Sequence, residues 1–169
     1  TITVEIDGGG VSRIRVTDDG SGMDEQDARM AFQCHTTSKL NTLEDLFDLH
    51  TMGFRGEALS SIAAASKVRM RTCQPGFEHG TQIEMEAGRL IGVTKSNGAP
   101  GTQIEVRDLF FNLPARYKFL KKDQTEAQYI SQLIERLALV RPDISFRLIQ
   151  DGKESLHTPG NNDDLSALY

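Results

Sequence analysis

The chain has 169 residues, of which 38% are hydrophobic and 25% charged, and this balance excludes a disordered chain and allows one folded domain plus the start of another. Nineteen basic and twenty-four acidic residues give a net charge of -5, so no overall positive field attracts the chain to nucleic acid. No apolar run reaches the roughly 20 residues that span a bilayer, so we expect no membrane partner. Cys34 and Cys73 lack the spacing of a metal site or a disulfide framework, so we expect a reducing, cytoplasmic setting.

The first predicted element is a β-hairpin. Apolar and polar residues alternate over residues 2–6 and again over 14–16, and three glycines separate the two runs. The second strand leads directly into Asp18-Asp19-Gly20-Ser21-Gly22. Asp24 is placed to cap a helix that ends near Phe32.

A polar loop and two further helices follow. The loop covers residues 35–39, and Thr42 is placed to cap a helix that ends near His50. The turn over residues 53–56 precedes a stretch rich in Ala, Leu and Ile, which predicts a short helix over 57–65.

Strands dominate the middle of the chain. Alternation and turn residues predict a meander of strands at about Val68–Thr72, Gln82–Glu86, Ile91–Thr94 and Gln103–Asp108. Asn112 is predicted to cap a short helix with Pro114 near its first position. Asp123 or Thr125 begins a longer amphipathic helix that ends before Pro142. A second hairpin is predicted over residues 144–157.

Three glycine-containing segments are candidate ligand contacts. Beside Asp18, the missing side chains of Gly20 and Gly22 let a flat ligand approach the backbone, and the carboxylate can accept a hydrogen bond from an amine. The segment Gly53–Leu59 places backbone N–H groups and a helix start at one point, which suits phosphate. Thr102 opens a strand where its hydroxyl can bind a base. Each segment alone is more typical of ordinary turns.

Two common nucleotide-binding motifs are missing. The pattern Gly-x-Gly-x-x-Gly fails at Glu25, which excludes the dinucleotide fingerprint. No Gly-Lys-Ser or Gly-Lys-Thr occurs, so the glycine segment at 53–56 is not a Walker loop.

Taken in chain order, the three segments resemble the motif series of the ATPase superfamily that includes DNA gyrase, heat-shock chaperones, histidine kinases and MutL. The strings at 53–62, 37–39 and 108–120 are similar to the MutL branch, a family of DNA mismatch repair proteins. The resemblance covers essentially the whole chain. It implies an α+β fold of the Bergerat type, a two-layer sandwich with a mixed, mostly antiparallel sheet and helices packed on one face.

The resemblance also implies an ATP site. In the family, the aspartate matching Asp18 accepts from the adenine amino group, the glycines matching Gly20 and Gly22 let the base lie against the backbone, and the threonine matching Thr102 lies on the far side. Asp19 stands where many members have Asn. The other implied nucleotide contacts are Thr37, Ser38, Lys39, Gly53, Phe54, Arg55, Gly56, Glu57, Ala58 and Leu59. Glu57 is not assigned as a catalytic base, because it matches a different family position and serves the helix start.

The family's catalytic Glu and magnesium-binding Asn precede its first strand, and no residue of this chain matches either. We therefore expect residues 1–142 to be the ATP-binding domain without its first helix, and residues 143–169 to begin a transducer-like subdomain. The family's lysine to the γ-phosphate is also unmatched. The resemblance implies an ATPase in the intact protein, with ATP and Mg²⁺ as cofactors, and an inactive 169-residue chain.

The implied role is an ATP-driven switch in bacterial mismatch repair, with paired N-terminal domains, the mismatch recognition protein MutS and DNA as partners. The basic residues Arg116, Lys118, Lys121 and Lys122 are candidate contacts to DNA phosphates, although a solvated helix face is the favoured interpretation. Two alternatives stay open: a non-catalytic interaction or scaffold module whose glycines only form turns, and another branch of the same superfamily.

Overall fold

The computed structural model describes residues 1–33 and 57–161. In chain order, the strands are β1 (Ile2–Asp7), β2 (Arg13–Asp18), β3 (Lys67–Cys73), β4 (Gly80–Glu86), β5 (Arg89–Ser96), β6 (Gly101–Arg107), β7 (Phe146–Gln150) and β8 (Lys153–His157). The helices are α1 (Glu25–Met30), α2 (Ala58–Ala64), α3 (Pro114–Tyr117) and α4 (Asp123–Val140). The helix predicted to end near His50 lies outside the described residues.

Within the described ranges the strands form one eight-stranded sheet with the order β5-β4-β3-β6-β2-β1-β7-β8. Every neighbouring pair is antiparallel except β1 and β7, so the sheet is mixed and mostly antiparallel, as predicted. The predicted meander is wrong at its last step. β6 does not pair with β5 but lies between β3 and β2, because its inward residues Ile104 and Val106 complete the centre of the core. The mostly exposed β5 forms the edge.

One face of the sheet is apolar along its whole width. Side chains of directly paired residues lie on the same face of a sheet. A single row of such partners crosses all eight strands and contains Val93, Ile83, Met70, Ile104, Val16, Val4, Leu148 and Leu156. This row forms the sheet side of the hydrophobic core.

The helices cover that same face. Ala28 of α1 and Ala63 of α2 are buried against β3, β4 and β6, whereas Ile134 and Ala138 of α4 are buried against β1 and β7. Ile14 of β2 contacts both clusters, so the two halves of the helical layer meet on one side of the sheet. The described residues therefore form the predicted two-layer α+β sandwich.

The opposite face is charged. The directly paired residues Glu5, Arg15, Glu105, Arg69 and Glu84 form a row of alternating sign across five strands. Arg15 donates to Glu5 and Arg69 donates to Glu84. Glu105 is the most deeply buried member, at 8% exposure. This row explains why the strands alternate between apolar and charged residues.

Local boundaries follow the sequence closely. Asp24 caps α1 by accepting a 2.8 Å hydrogen bond from the Asp27 N–H, although the helix ends at Met30 instead of near Phe32. Among the described residues, the helices are too short or too polar to cross a bilayer. The β7–β8 hairpin extends the same sheet through its pairing with β1, and the domain division at residue 142 stays a prediction.

Candidate nucleotide site

The candidate site lies where the inward face of the sheet changes from apolar to polar. Two residues beyond the apolar row, and therefore on the same face, a second row of direct partners crosses the sheet. It contains Ile2, Asp18, Thr102, Thr72, Thr81 and Lys95. The structure thus brings Asp18 and Thr102 together on adjacent strands, as the resemblance implies, and places Thr72 directly beside Thr102.

The turn after β2 holds the Asp18 carboxylate. Its Oδ1 accepts a 2.9 Å hydrogen bond from the Gly20 N–H, which is the local arrangement that an aspartate favours in a turn. Asp18 is half-buried. Among the described residues, Oδ1 alone has a protein donor, so Oδ2 can accept from a ligand. The side chain of the neighbouring Asp19 is 69% exposed.

Gly22 allows a close contact between this turn and β3. Its φ is +62°, and a Cβ placed there would lie 2.0 Å from the carbonyl oxygen of Cys73. No other residue type fits without moving the backbone. The next residue, Met23, donates its N–H to Thr72 Oγ1 at 2.8 Å. Gly22 therefore fixes the turn against the end of β3, a packing role in addition to the predicted access for a base.

Gly101 makes the matching contact on β6. Its φ is +120°, and an added Cβ would lie 2.1 Å from the carbonyl oxygen of Asp18. The missing side chain lets β6 begin directly against the end of β2, so that Thr102 pairs with Asp18. The position of Thr102 thus depends on the glycine before it.

Thr72 is the residue of this site that the sequence analysis missed. It is 2% exposed, and its hydroxyl lies 3.1 Å from the Thr102 hydroxyl and 3.3 Å from the Gly101 carbonyl oxygen. Alternation from Val68 and Met70 places it on the inward face, which is a signal that the sequence does contain. Its partners on β6 are not visible in the sequence, because they depend on how β6 crosses the sheet.

Of the residues predicted to contact phosphate, the structure describes only Glu57, Ala58 and Leu59. Glu57 is the residue before α2, and its carbonyl accepts from Ser61 N–H and Ser60 Oγ. Ala58 is exposed, and Leu59 packs against the core cluster of α1, α2 and the central strands. Thr37, Ser38, Lys39, Gly53, Phe54, Arg55 and Gly56 lie outside the described residues.

The segment Asp108–Asn112 holds the other end of α2. The Phe110 N–H donates to the Ala65 carbonyl at 2.7 Å, and Asn112 Nδ2 donates to the Ala64 carbonyl at 2.9 Å. The prediction that Asn112 caps α3 is therefore wrong: Leu113 occupies that cap position. The Asn112 side chain instead donates to one of the carbonyl groups that the C-terminal end of α2 leaves unpaired. This string of the sequence thus fixes the C-terminal end of α2.

Three further observations concern metal binding, a neighbouring cavity and the basic residues. Among residues 1–33 and 57–161, no three His, Cys, Asp or Glu side chains are grouped as a metal site would need. A cavity of about 350 Å³ borders the polar row and is lined by Met23, Phe77, His79 and Thr81 among others. The basic residues Arg116, Lys118, Lys121 and Lys122 are all exposed, and their contact with DNA stays a prediction.

The fold and the site define a class of ATPase. Residues 1–89 match the family model described as histidine kinase-, DNA gyrase B- and HSP90-like ATPase, which is more than half of the chain. The chain therefore belongs to this family of ATPases.

Within that family, the chain is similar to the DNA mismatch repair protein MutL. It is 50% identical to MutL of Caldanaerobacter subterraneus subsp. tengcongensis over 160 residues, which cover 95% of this chain and 27% of that protein. It is 47% identical to MutL of Desulforudis audaxviator over 167 residues, covering 99% and 30% respectively. The chain thus spans under a third of the length of these relatives. The resemblance to the MutL family predicted from the sequence is confirmed.

Solved structures agree with this placement. The Aquifex aeolicus MutL ATPase domain complexed with ADP superposes with a TM-score of 0.75 at 34% identity, covering 99% of this chain and 58% of that one. The N-terminal domain of a DNA repair protein superposes with a TM-score of 0.79 at 26% identity, covering 99% and 49%. The predicted ATP-binding fold is therefore confirmed.

Proposed function

We propose that the chain forms the adenine-binding side of the ATP site in a MutL-type DNA mismatch repair protein. The observation that carries this proposal is the Asp18 carboxylate, which the Gly20 N–H holds at 2.9 Å in a half-buried position beside Thr102. Such a carboxylate accepts a hydrogen bond from the exocyclic amino group of adenine. The similar Aquifex aeolicus MutL ATPase domain was solved with ADP, which supports a nucleotide as the ligand.

The remaining contacts of the nucleotide are proposed on the resemblance. The segment Gly53–Leu59, together with Thr37–Lys39, contacts the phosphates, which backbone N–H groups near a helix start can bind. Mg²⁺ offsets the phosphate charge. No residue of this chain matches the family's magnesium-binding Asn, so the proposal assigns no magnesium ligand within the chain.

In the intact protein, ATP binding orders the segment around Gly53 and pairs the N-terminal domains, and hydrolysis resets them. The paired form engages the mismatch recognition protein MutS and DNA in the bacterial cytoplasm. Residues 1–142 form the ATP-binding unit and residues 143–169 begin the transducer-like subdomain. The 169-residue chain does not hydrolyse ATP by itself, because none of its residues matches the catalytic base of the family.

Isothermal titration calorimetry with ATP and Mg²⁺ tests the adenine contact. The protein is the chain extended with the flanking sequence that its gene encodes, and the variant is Asp18→Ala. Losing a hydrogen bond to a charged group costs about 1.5–3 kcal/mol, so the Kd for ATP rises by a factor of about 10 to 150. Asp19→Ala is the matched control, since it removes the same charge from the neighbouring exposed residue.

We expect Asp19→Ala to change the Kd less than about threefold, which is below the effect of losing one typical hydrogen bond. Equal losses in the two variants would contradict a specific role for Asp18 and indicate a general charge effect. No heat with the extended wild-type protein would instead support the scaffold interpretation, in which the glycines only form turns.

A further inference from the structure

The Thr72 hydroxyl joins three parts of the site. It accepts the Met23 N–H at 2.8 Å, from the segment that follows the Asp18 turn. It lies 3.1 Å from Thr102 Oγ1 and 3.3 Å from the Gly101 carbonyl oxygen, both at the start of β6. Thr72 is 2% exposed, whereas Thr102 is half-buried and borders the space beside Asp18. A ligand at Asp18 therefore contacts Thr102 and not Thr72.

The donors and acceptors around Thr72 can be satisfied together in one way. A threonine hydroxyl has one proton and two acceptor lone pairs. The Gly101 carbonyl can only accept, so it takes the Thr72 proton, and the Met23 N–H can only donate, so it takes one lone pair. The second lone pair of Thr72 then accepts the proton of Thr102. In this arrangement all three contacts are hydrogen bonds, and Thr102 has no proton left for a ligand.

We propose that Thr72 is a positioning residue of the nucleotide site. Its hydroxyl oxygen accepts the hydrogen bond from the Thr102 hydroxyl, so that Thr102 and Asp18 both present acceptors to the base. The inference rests on the proposed function, and it concerns which base the site selects. A pair of acceptors favours adenine, whose exocyclic amino group donates. Hypoxanthine has a carbonyl oxygen in place of that amino group, and two acceptors facing it are repelled or left unpaired.

The experiment compares ATP with inosine triphosphate on the extended protein. Thr72→Val keeps the shape of the side chain and removes the hydroxyl, which frees the Thr102 proton. We expect the preference for ATP over inosine triphosphate, measured as the ratio of the two Kd values, to fall about three- to tenfold, the effect of one neutral hydrogen bond. Thr72→Ser keeps the hydroxyl and restores the wild-type ratio within about twofold, below that effect.

Two controls separate this role from a loss of stability. Thr81→Val makes the same substitution at the buried cross-strand partner of Thr72 on β4, and it leaves the ratio of Kd values unchanged. Amide hydrogen exchange of Met23, without nucleotide, reports the first hydrogen bond directly. That exchange accelerates in Thr72→Val and stays at the wild-type rate in Thr72→Ser and Thr81→Val.

The outcomes distinguish the inference from the proposed function. If the wild-type protein prefers ATP and Thr72→Val keeps the same preference, the positioning role is overturned while the ATP site stands. If the wild-type protein binds neither nucleotide, the proposed function fails and the inference fails with it. A reduced ratio that Thr72→Ser does not restore also overturns the inference, because the preference for ATP would then not depend on the hydroxyl at position 72.

Discussion

Gly22→Ala tests how tightly the turn after β2 is held against β3. The added Cβ would lie 2.0 Å from the Cys73 carbonyl oxygen, 1.0 Å inside the 3.0 Å below which real Cβ contacts essentially do not occur. The Cβ is fixed to the backbone and the atom that it meets is a backbone carbonyl oxygen, so no side-chain rotation relieves the contact and the turn must move by about that distance. A shift of this size breaks the 2.8 Å hydrogen bond from Met23 to Thr72.

The expected destabilisation has two parts. Holding an alanine at a φ of +62° costs about 1–2 kcal/mol. Losing a hydrogen bond at a buried hydroxyl costs about 1–3 kcal/mol more. Gly22→Ala is therefore expected to lower the free energy of unfolding by about 2–5 kcal/mol. Gly152→Ala is the matched control, since its φ is +76° and an added Cβ meets nothing within 4 Å; it costs the first part alone.

Urea denaturation measures both variants, and a lower midpoint at an unchanged slope reports lost stability. We expect the midpoint of Gly22→Ala to fall clearly below that of Gly152→Ala. Equal midpoints would refute the reasoning, because they would show that the contact with the Cys73 carbonyl adds nothing to the cost of the positive φ.

Two further substitutions test the local interactions by urea denaturation. Asp24→Ala removes the cap of α1 and lowers stability by about 1 kcal/mol, whereas Asp24→Ser keeps a capping oxygen and most of that stability. Glu105→Gln removes a carboxylate whose pKa is lowered mainly by the hydrogen bond from Arg107. A lowered pKa in the folded state stabilises the protein above the unfolded-state pKa of about 4.3. The difference between wild type and Glu105→Gln is therefore largest near neutral pH and shrinks as the pH falls through that lowered pKa. A constant difference from pH 7 to pH 3 would contradict this assignment.

Features that depend on neighbouring residues were predictable from the sequence. The Asp18 turn is one, because its hydrogen bond joins residues two apart. The Asp24 cap is another, since its bond spans three residues. The strands were found because alternation is a local signal, and the sheet confirms it with an inward apolar face and an outward charged one.

Features that depend on the order of the strands were not predictable in the same way. The crossing of β6 into the centre of the sheet sets Gly101 against Asp18 and Thr102 against Thr72. Consecutive strands usually pair, so the sequence favoured a meander. Asn112 shows the same limit: beside Leu113 and Pro114 it has the pattern of a helix cap, yet its acceptor lies 48 residues away on the last turn region of α2.

The most direct test of the account is a crystal structure of the extended protein with a non-hydrolysable ATP analogue. We predict that the adenine amino group lies within hydrogen-bond distance of Asp18 Oδ2, with Thr102 beside Asp18 at the same edge of the base and the Met23 N–H still bound to Thr72. A base seated away from Asp18, for example in the cavity beside Phe77 and His79, would contradict the central claim that the ends of β2 and β6 form the adenine site.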